Sequence, residues 1–264
     1  MNNHPIGILD SGLGGLTVLQ AIARELQNES FVYIGDSVST PYGAKSPDEI
    51  YKLAKRLIEF LLQQEVKLIV IACNTITVTC LDKLRSDYSQ IPIVGTVPVI
   101  KTAAEVSKNK YIGILSTTQT AQSDYQKHLI ETFANGCTVF NHGTDALVPL
   151  IEQGQLESSE MTAALQSVLQ VFKNEKIDAL ALGCTHFPFL EKQMQTILGS
   201  NVQLLDSCGA IARQVKRVLE HNGTCSSEGE GLITIYTTGN MNIAKNLAES
   251  TIEKQHLAVH EIAV

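Results

Sequence analysis

Long apolar runs are missing from this sequence. No hydrophobic stretch approaches the ~20 residues that a bilayer-spanning helix needs, so no membrane partner is expected. A basic surplus is missing too. The net charge is −7, which excludes the general affinity for nucleic acid that a basic face confers. Charged residues make up only 18% against 44% hydrophobic, so disorder is excluded and 264 residues can build one large or two small cores. The opening stretch MNNHPIGILDSGLGG has no basic segment, and Asp10 and the glycines interrupt its apolar part. We therefore expect no signal peptide and a cytoplasmic protein. In that compartment the six cysteines (73, 80, 137, 184, 208 and 225) read as thiols rather than as a disulfide framework. No Cys-x-x-Cys pair exists for redox work, and the Cys and His spacings do not suit zinc.

What is present is alternation. IGIL (6–9), FVYIG (31–35), KLIVIA (67–72), IPIVG (91–95), YIGIL (111–115), IDALALG (177–183) and VQLL (202–205) read as strands. Amphipathic stretches lie between them. In SPDEIYKLAKRLIEFLLQQ, Ser46 can cap a helix, Pro47 suits its first position, and Asp48 and Glu49 face its positive end. Ile50, Leu53, Leu57 and Leu61 then repeat at helical spacing. Strand–helix alternation of this kind predicts an α/β fold with mainly parallel sheets flanked by helices.

The chain also echoes itself. IGIL with Asp10-Ser11 returns as IGIL with Ser116-Thr117, and each copy is followed at similar offset by a strand ending in cysteine. The first such strand gives IVIACNT, with Cys73, and the second LALGCTH, with Cys184. This predicts two duplicated α/β domains, residues 1–97 plus 208–264 and residues 98–207. GLITIYTTG (231–239) has no counterpart in the second copy and is assigned to the first. No Pro- or Ser-rich linker marks either crossing.

Ligands of open α/β sheets bind at the carboxyl ends of strands. Cys73 and Cys184 both sit there, each expected at the start of a helix, where a thiolate is favoured and the thiol pKa falls from its unperturbed ~8.5. Cys80, Cys137 and Cys225 read as small core residues. Duplicated halves facing each other would oppose the two strand-end thiols across one cleft. A hydrolase built on Cys184 and His186 would leave Cys73 unexplained. Two opposed thiols suit inversion of a carbon centre, one removing a proton from one face and the other donating to the opposite face.

DSGLGG (10–15) follows the first strand and opens a helix, so it can cradle a phosphate or carboxylate, although it has neither the G-x-G-x-x-G order nor the lysine of a P-loop. Ser11, Asn74, Thr75, Thr117, Thr118 and Thr185 put hydroxyl and amide groups at strand ends, enough to hold a small amino acid's carboxylates. Asp10, or Glu152 in VPLIEQG, can meet an ammonium or assist a thiol, and His186 can help Cys184.

Taken together, DSGLGG (10–15), PYG (41–43), ACNT (72–75) and GCTHFP (183–188) resemble the aspartate/glutamate racemase family, on its glutamate branch, in the right order over nearly the whole chain. The resemblance implies two pseudo-symmetric domains with the active site in the cleft between them. It implies cofactor-independent interconversion of L- and D-glutamate, without a metal, supplying D-glutamate for peptidoglycan, and a homodimer as the default assembly. Cys73 and Cys184 carry over as the acid/base thiols. Asp10-Ser11, Tyr42-Gly43, Asn74-Thr75 and Thr185-His186 carry over as substrate-binding positions, and Asp10, His186 and Glu152 as helpers that tune the thiols. The sequence departs from the family at Ile76, Thr77 and Val78, where small residues are common, at Ser39 for an arginine, and at Phe187 for a tyrosine. The rivals are an aspartate racemase, a non-catalytic module for small anions and a cysteine hydrolase.

Overall fold

A computed structural model describes residues 2–96, 98–229, 231–253 and 256–263. Its described strands are β1 (Ile6–Asp10), β2 (Phe31–Gly35), β3 (Leu68–Ile71), β4 (Ile93–Gly95), β5 (Tyr111–Ser116), β6 (Thr138–Gly143), β7 (Ala179–Gly183), β8 (Gln203–Leu205), β9 (Ile233–Thr237) and β10 (Leu257–Glu261). They form two sheets, ordered β10-β9-β2-β1-β3-β4 and β6-β5-β7-β8, and every pairing is parallel. The duplication is visible in this order. β2-β1-β3-β4 of the first sheet corresponds strand for strand to β6-β5-β7-β8 of the second. The tail segment adds β9 and β10 to the first sheet. Residue 97, where the sequence reading divides the chain, lies outside the described residues.

The strands are apolar on both faces because both faces are covered. In β1, Ile6 and Ile8 point into one core while Leu9 points into another on the opposite side. In the second sheet, Leu180 and Leu182 of β7 face one core, and Ala179 and Ala181 face the other. Helix Pro47–Gln63 starts in a full capping box between Ser46 and Glu49 and buries Ile50, Ala54, Leu57, Ile58 and Leu61. Leu53 is only half-buried.

Three of the described strands were not read as strands from the sequence: β9, which lies within GLITIYTTG, and β6 and β10. β6 and β10 are edge strands, with no residue fully buried in either. A strand that buries one face poorly needs no apolar run, so it leaves no run to read. At the opposite end of the first sheet from the cysteines, Lys67 and Glu29 form a buried ion pair of 2.6 Å. The Lys67 ammonium also donates to the carbonyls of Asn2 and Thr224 and to Ser226 Oγ, which ties these segments to the start of β3. All six cysteines are free thiols; Cys80 is buried as expected, while Cys137 and Cys225 are only half-buried at the core margins.

Candidate active site

Each of the four central strands with a sequence motif ends at one place. β1 delivers Asp10-Ser11, β3 delivers Cys73-Asn74-Thr75, β5 delivers Thr117, and β7 delivers Cys184-Thr185-His186. All of these residues except Asp10, with the Tyr42-Gly43 turn, line one cavity that has room for about one water (≈10 Å³). Cys73 and Cys184 both line it, one from each sheet. The two thiols are 4% and 7% exposed, so the site is closed to bulk solvent.

Cys73 caps helix Asn74–Asp87, but its side chain makes no capping bond. The first N–H groups of that helix have no backbone partners inside it; that of Ile76 turns to the Cys73 sulfur, while Asn74 and Thr75 line the cavity. Asn74 Nδ2 has no hydrogen-bond partner although the residue is buried. Such an orphaned donor at a helix N-terminus suits a carboxylate. Around it Thr75, Thr117 and Thr120 form a closed triangle of hydroxyls, 2.9–3.3 Å apart.

The Cys73 thiol lies 3.4 Å from Ser11 Oγ. Burial pushes its pKa up to about 12, and the negative Asp10 adds to this against the Ser11 and Ile76 hydrogen bonds. The helix N-terminus was expected to lower it. In a site this closed, desolvation of the thiolate outweighs the helix field. Asp10 is itself fully buried and raised above the ordinary carboxylate range, first by burial. It does not line the cavity. Its oxygens accept from Gly12 N–H at 3.1 Å and Thr185 Oγ1 at 3.2 Å, so it reaches the site through Thr185.

Cys184 has a different setting. No α-helix starts beside it: a short 3-10 turn, Phe187–Leu190, intervenes before helix Glu191–Leu198. Its Sγ lies 3.7 Å from His186 Nδ1, and His186 Nε2 lies 2.6 Å from Glu152 Oε1. Burial acts to lower the His186 pKa, but the Cys184 and Glu152 contacts prevail and hold it well above the ordinary histidine value. Burial acts to raise Glu152, yet the His186 contact and the Leu13 N–H leave it below the usual carboxylate range. The pair is therefore imidazolium and carboxylate. Glu152 does not point to solvent, as a generic helix residue would; its side chain is 8% exposed.

The glycine-rich turn explains how Glu152 is held. Leu13 N–H donates to Glu152 Oε1 at 2.6 Å, so the anion this turn receives is the protein's own carboxylate. A Cβ on Gly12 would sit 2.2 Å from that oxygen, and a Cβ on Gly14 would sit 2.4 Å from His186 Nδ1. Only glycine permits this approach.

Of the remaining sequence candidates, Thr118 lies outside the cavity lining and offers its N–H to Asp145 at 3.3 Å. Sequence reasoning missed Thr120, Thr17, Tyr33 and Asp36. Tyr33 donates to the Gly12 carbonyl at 2.6 Å, and Asp36 accepts the Tyr42 hydroxyl at 2.9 Å. Asp36 follows β2, so the strand-end rule applied there would have found it. Among the described residues no group of His, Cys, Asp and Glu is arranged to hold a metal ion, and no helix is long and apolar enough to cross a membrane.

The sequence profile of the Asp/Glu/hydantoin racemases matches residues 6–215. The glutamate racemase of Limosilactobacillus reuteri (strain DSM 20016) is 38% identical over 239 residues, 90% of this chain and 89% of that protein. Among solved structures, glutamate racemase from Bacillus anthracis is 31% identical with a TM-score of 0.87, covering 100% of this chain and 99% of the other. Escherichia coli glutamate racemase, in complex with L-glutamate and the activator UDP-MurNAc-Ala, is 29% identical with a TM-score of 0.87, covering 99% and 100%.

Proposed function

The chain belongs to the Asp/Glu/hydantoin racemase family, and from that premise we propose that it interconverts L- and D-glutamate by proton transfer at Cα between Cys73 and Cys184. The observation that carries this reading is the pairing of two thiols in one cavity, contributed by corresponding strands of two sheets. Glutamate is the substrate named for the full-length relatives of similar sequence.

In the reaction one sulfur, as thiolate, takes the Cα proton. The electron pair left on carbon delocalises into the substrate carboxylate. The opposite thiol then gives its proton to the other face. One S–H bond forms and one breaks, nothing is oxidised or reduced, and the two sulfurs exchange roles. The Cα–H is a far weaker acid than a thiol, so the developing charge needs preorganised donors. The Asn74 amide and the N–H groups of the first residues of helix Asn74–Asp87 supply them. Ser11, Thr75, Thr117 and Thr185 hold the substrate with Tyr42-Gly43, while Asp10 acts on the Cys73 side, and His186 with Glu152 on the Cys184 side. A cavity for one water must widen for glutamate, so substrate entry separates the two sheets' facing loops.

Residues 1–97 plus 208–264 and residues 98–207 serve as the two domains. Support comes from β9 joining the first sheet and from Ile211, Val215 and Leu219 packing in the first core. The same reading has a cytoplasmic homodimer supplying D-glutamate for peptidoglycan; light scattering at the monomer mass would refute the dimer.

The line from Glu152 through His186 to Cys184 also favours a second reading, a cysteine hydrolase. It predicts a covalent adduct on Cys184 and indifference to Cys73. The deciding experiment incubates the protein, without added cofactor, with L-glutamate, D-glutamate or L-aspartate and follows circular dichroism. Both glutamate enantiomers should converge on the racemate. Convergence of aspartate alone would move the substrate and keep the mechanism. No change in any arm would leave the hydrolase or a binding module.

A further inference from the structure

Thr17 lies in the first turns of helix Leu16–Glu25, buried and away from the cavity lining. Its hydroxyl is within 2.9 Å of the Gly14 carbonyl and 3.0 Å of the Thr185 carbonyl. The first contact is local, the ordinary back-bond of a threonine to the preceding turn. The second crosses from one duplicated unit to the other and ends on the residue between Cys184 and His186. The oxygen is not free to turn away. Cys208 Sγ approaches it at 3.7 Å as a weak donor, and burial, then the Asp206 charge, raises the Cys208 pKa, which keeps that thiol protonated. With its lone pair so engaged, the hydroxyl proton is aimed at the two carbonyls.

Gly14 itself packs against the same segment, since a Cβ there would meet His186 Nδ1 and, at 2.6 Å, Thr185 Oγ1. The Thr185 side chain in turn donates to Asp10. The Cys184-Thr185-His186 segment is thus gripped from the first unit at its backbone by Thr17 and at its side chain by Asp10.

Resting on the two-thiol reading above, we infer that Thr17 is a positioning residue: its hydroxyl fixes the Thr185 backbone, and through it sets Cys184 and His186 at the distance from Cα that proton transfer requires. It touches neither substrate nor sulfur. A displacement of about 1 Å in such an alignment can cost up to about a hundredfold in rate, so a single cross-unit hydrogen bond is enough to matter.

The test uses Thr17→Val and Thr17→Ala, which remove the hydroxyl, and Thr17→Ser, which restores it. The full-length protein is assayed with L- and D-glutamate, each with hydrogen or deuterium at Cα. Expected for the first two variants is a fall in kcat of about tenfold or more with KM changed little, because the loss lies in alignment rather than binding. The isotope effects should also diverge. Proton removal by Cys184 becomes more rate-limiting, so the effect rises for the enantiomer that Cys184 deprotonates and falls for the other. Thr17→Ser should restore both readouts. Wild-type kcat in Thr17→Val and Thr17→Ala would overturn the inference, as would a Thr17→Ser variant as slow as they are, or isotope effects that do not diverge. Failure of both to fold beside a native Thr17→Ser would also overturn it, since the hydroxyl would then hold the fold rather than the segment. Wild-type protein inert toward both enantiomers would instead strike the two-thiol reading.

Discussion

Cys73 and Cys184 occupy corresponding places at the ends of β3 and β7, yet their neighbours carry opposite charge. Cys73 meets a serine hydroxyl, with the buried carboxyl of Asp10 behind it. Cys184 meets His186, held as a cation by Glu152. An anion therefore stands behind one sulfur and a cation beside the other, and both burial and the anion oppose ionisation of Cys73. Duplication placed the two sulfurs symmetrically. The residues that differ between the copies, Asp10 against Ser116 and Asn74-Thr75 against Thr185-His186, then broke the electrostatic symmetry.

The largest effect is expected where the comparison is most symmetric. Cys73→Ser and Cys184→Ser should each lower racemisation about 10³-fold, the range of a lost acid or base. A large loss for Cys184 alone, measured by kcat, would break the symmetry and support the hydrolase. Next, His186→Gln should cost about 10²-fold in kcat, since it removes the cation from one side only. The companion variant Glu152→Gln has a stability signature with a worked sign. Glu152 is held below its ordinary 4.5, so its contribution is present above that pH and lost as pH falls through its native value. His186 is raised above 6.5, so its contribution is full below that pH and is lost as pH rises through its native value. The melting gap between wild type and Glu152→Gln should therefore be widest between about pH 4.5 and 6.5, on the order of 3 kcal/mol for a broken buried pair. A gap that grows toward alkaline pH would contradict an imidazolium at His186.

A smaller effect tests the packing that holds this side. Gly14→Ala places a methyl on His186 Nδ1 and should reduce kcat by about tenfold, with Cys73 left in place. Turnover at the wild-type level would mean that the turn does not set the histidine. The smallest effect on turnover belongs to the far end of the sheet. Lys67→Met leaves Glu29 buried without its partner and should destabilise by about 3–5 kcal/mol in denaturant, while kcat of the folded enzyme stays unchanged. A matching fall in kcat would mean that the two ends of the sheet are coupled.

How legible this was depended on burial and on chain distance. The strands covered on both faces, such as Leu68–Ile71, announce themselves as apolar runs, while the edge strands Thr138–Gly143 and Leu257–Glu261 do not. Both cysteines were legible because a thiol at a strand end, repeated in two copies, is a local signal. The Glu152–His186 contact was not, because 34 residues separate its partners and the fold alone brings them together. Nor was the role of DSGLGG, which read as a cradle for an external anion and receives Glu152. The raised Cys73 pKa needed the closed cavity, which no sequence pattern encodes.

The most direct test of the central claim is α-deuterium exchange in D₂O by Cys73→Ser and Cys184→Ser, each given L- and D-glutamate and followed by NMR. With one thiol gone, the remaining thiol can still remove and return the proton on its own face. The account predicts slow exchange without inversion, in one enantiomer for Cys73→Ser and in the opposite enantiomer for Cys184→Ser. Exchange of the same enantiomer by both variants, or racemisation surviving in either, would contradict two thiols acting on opposite faces.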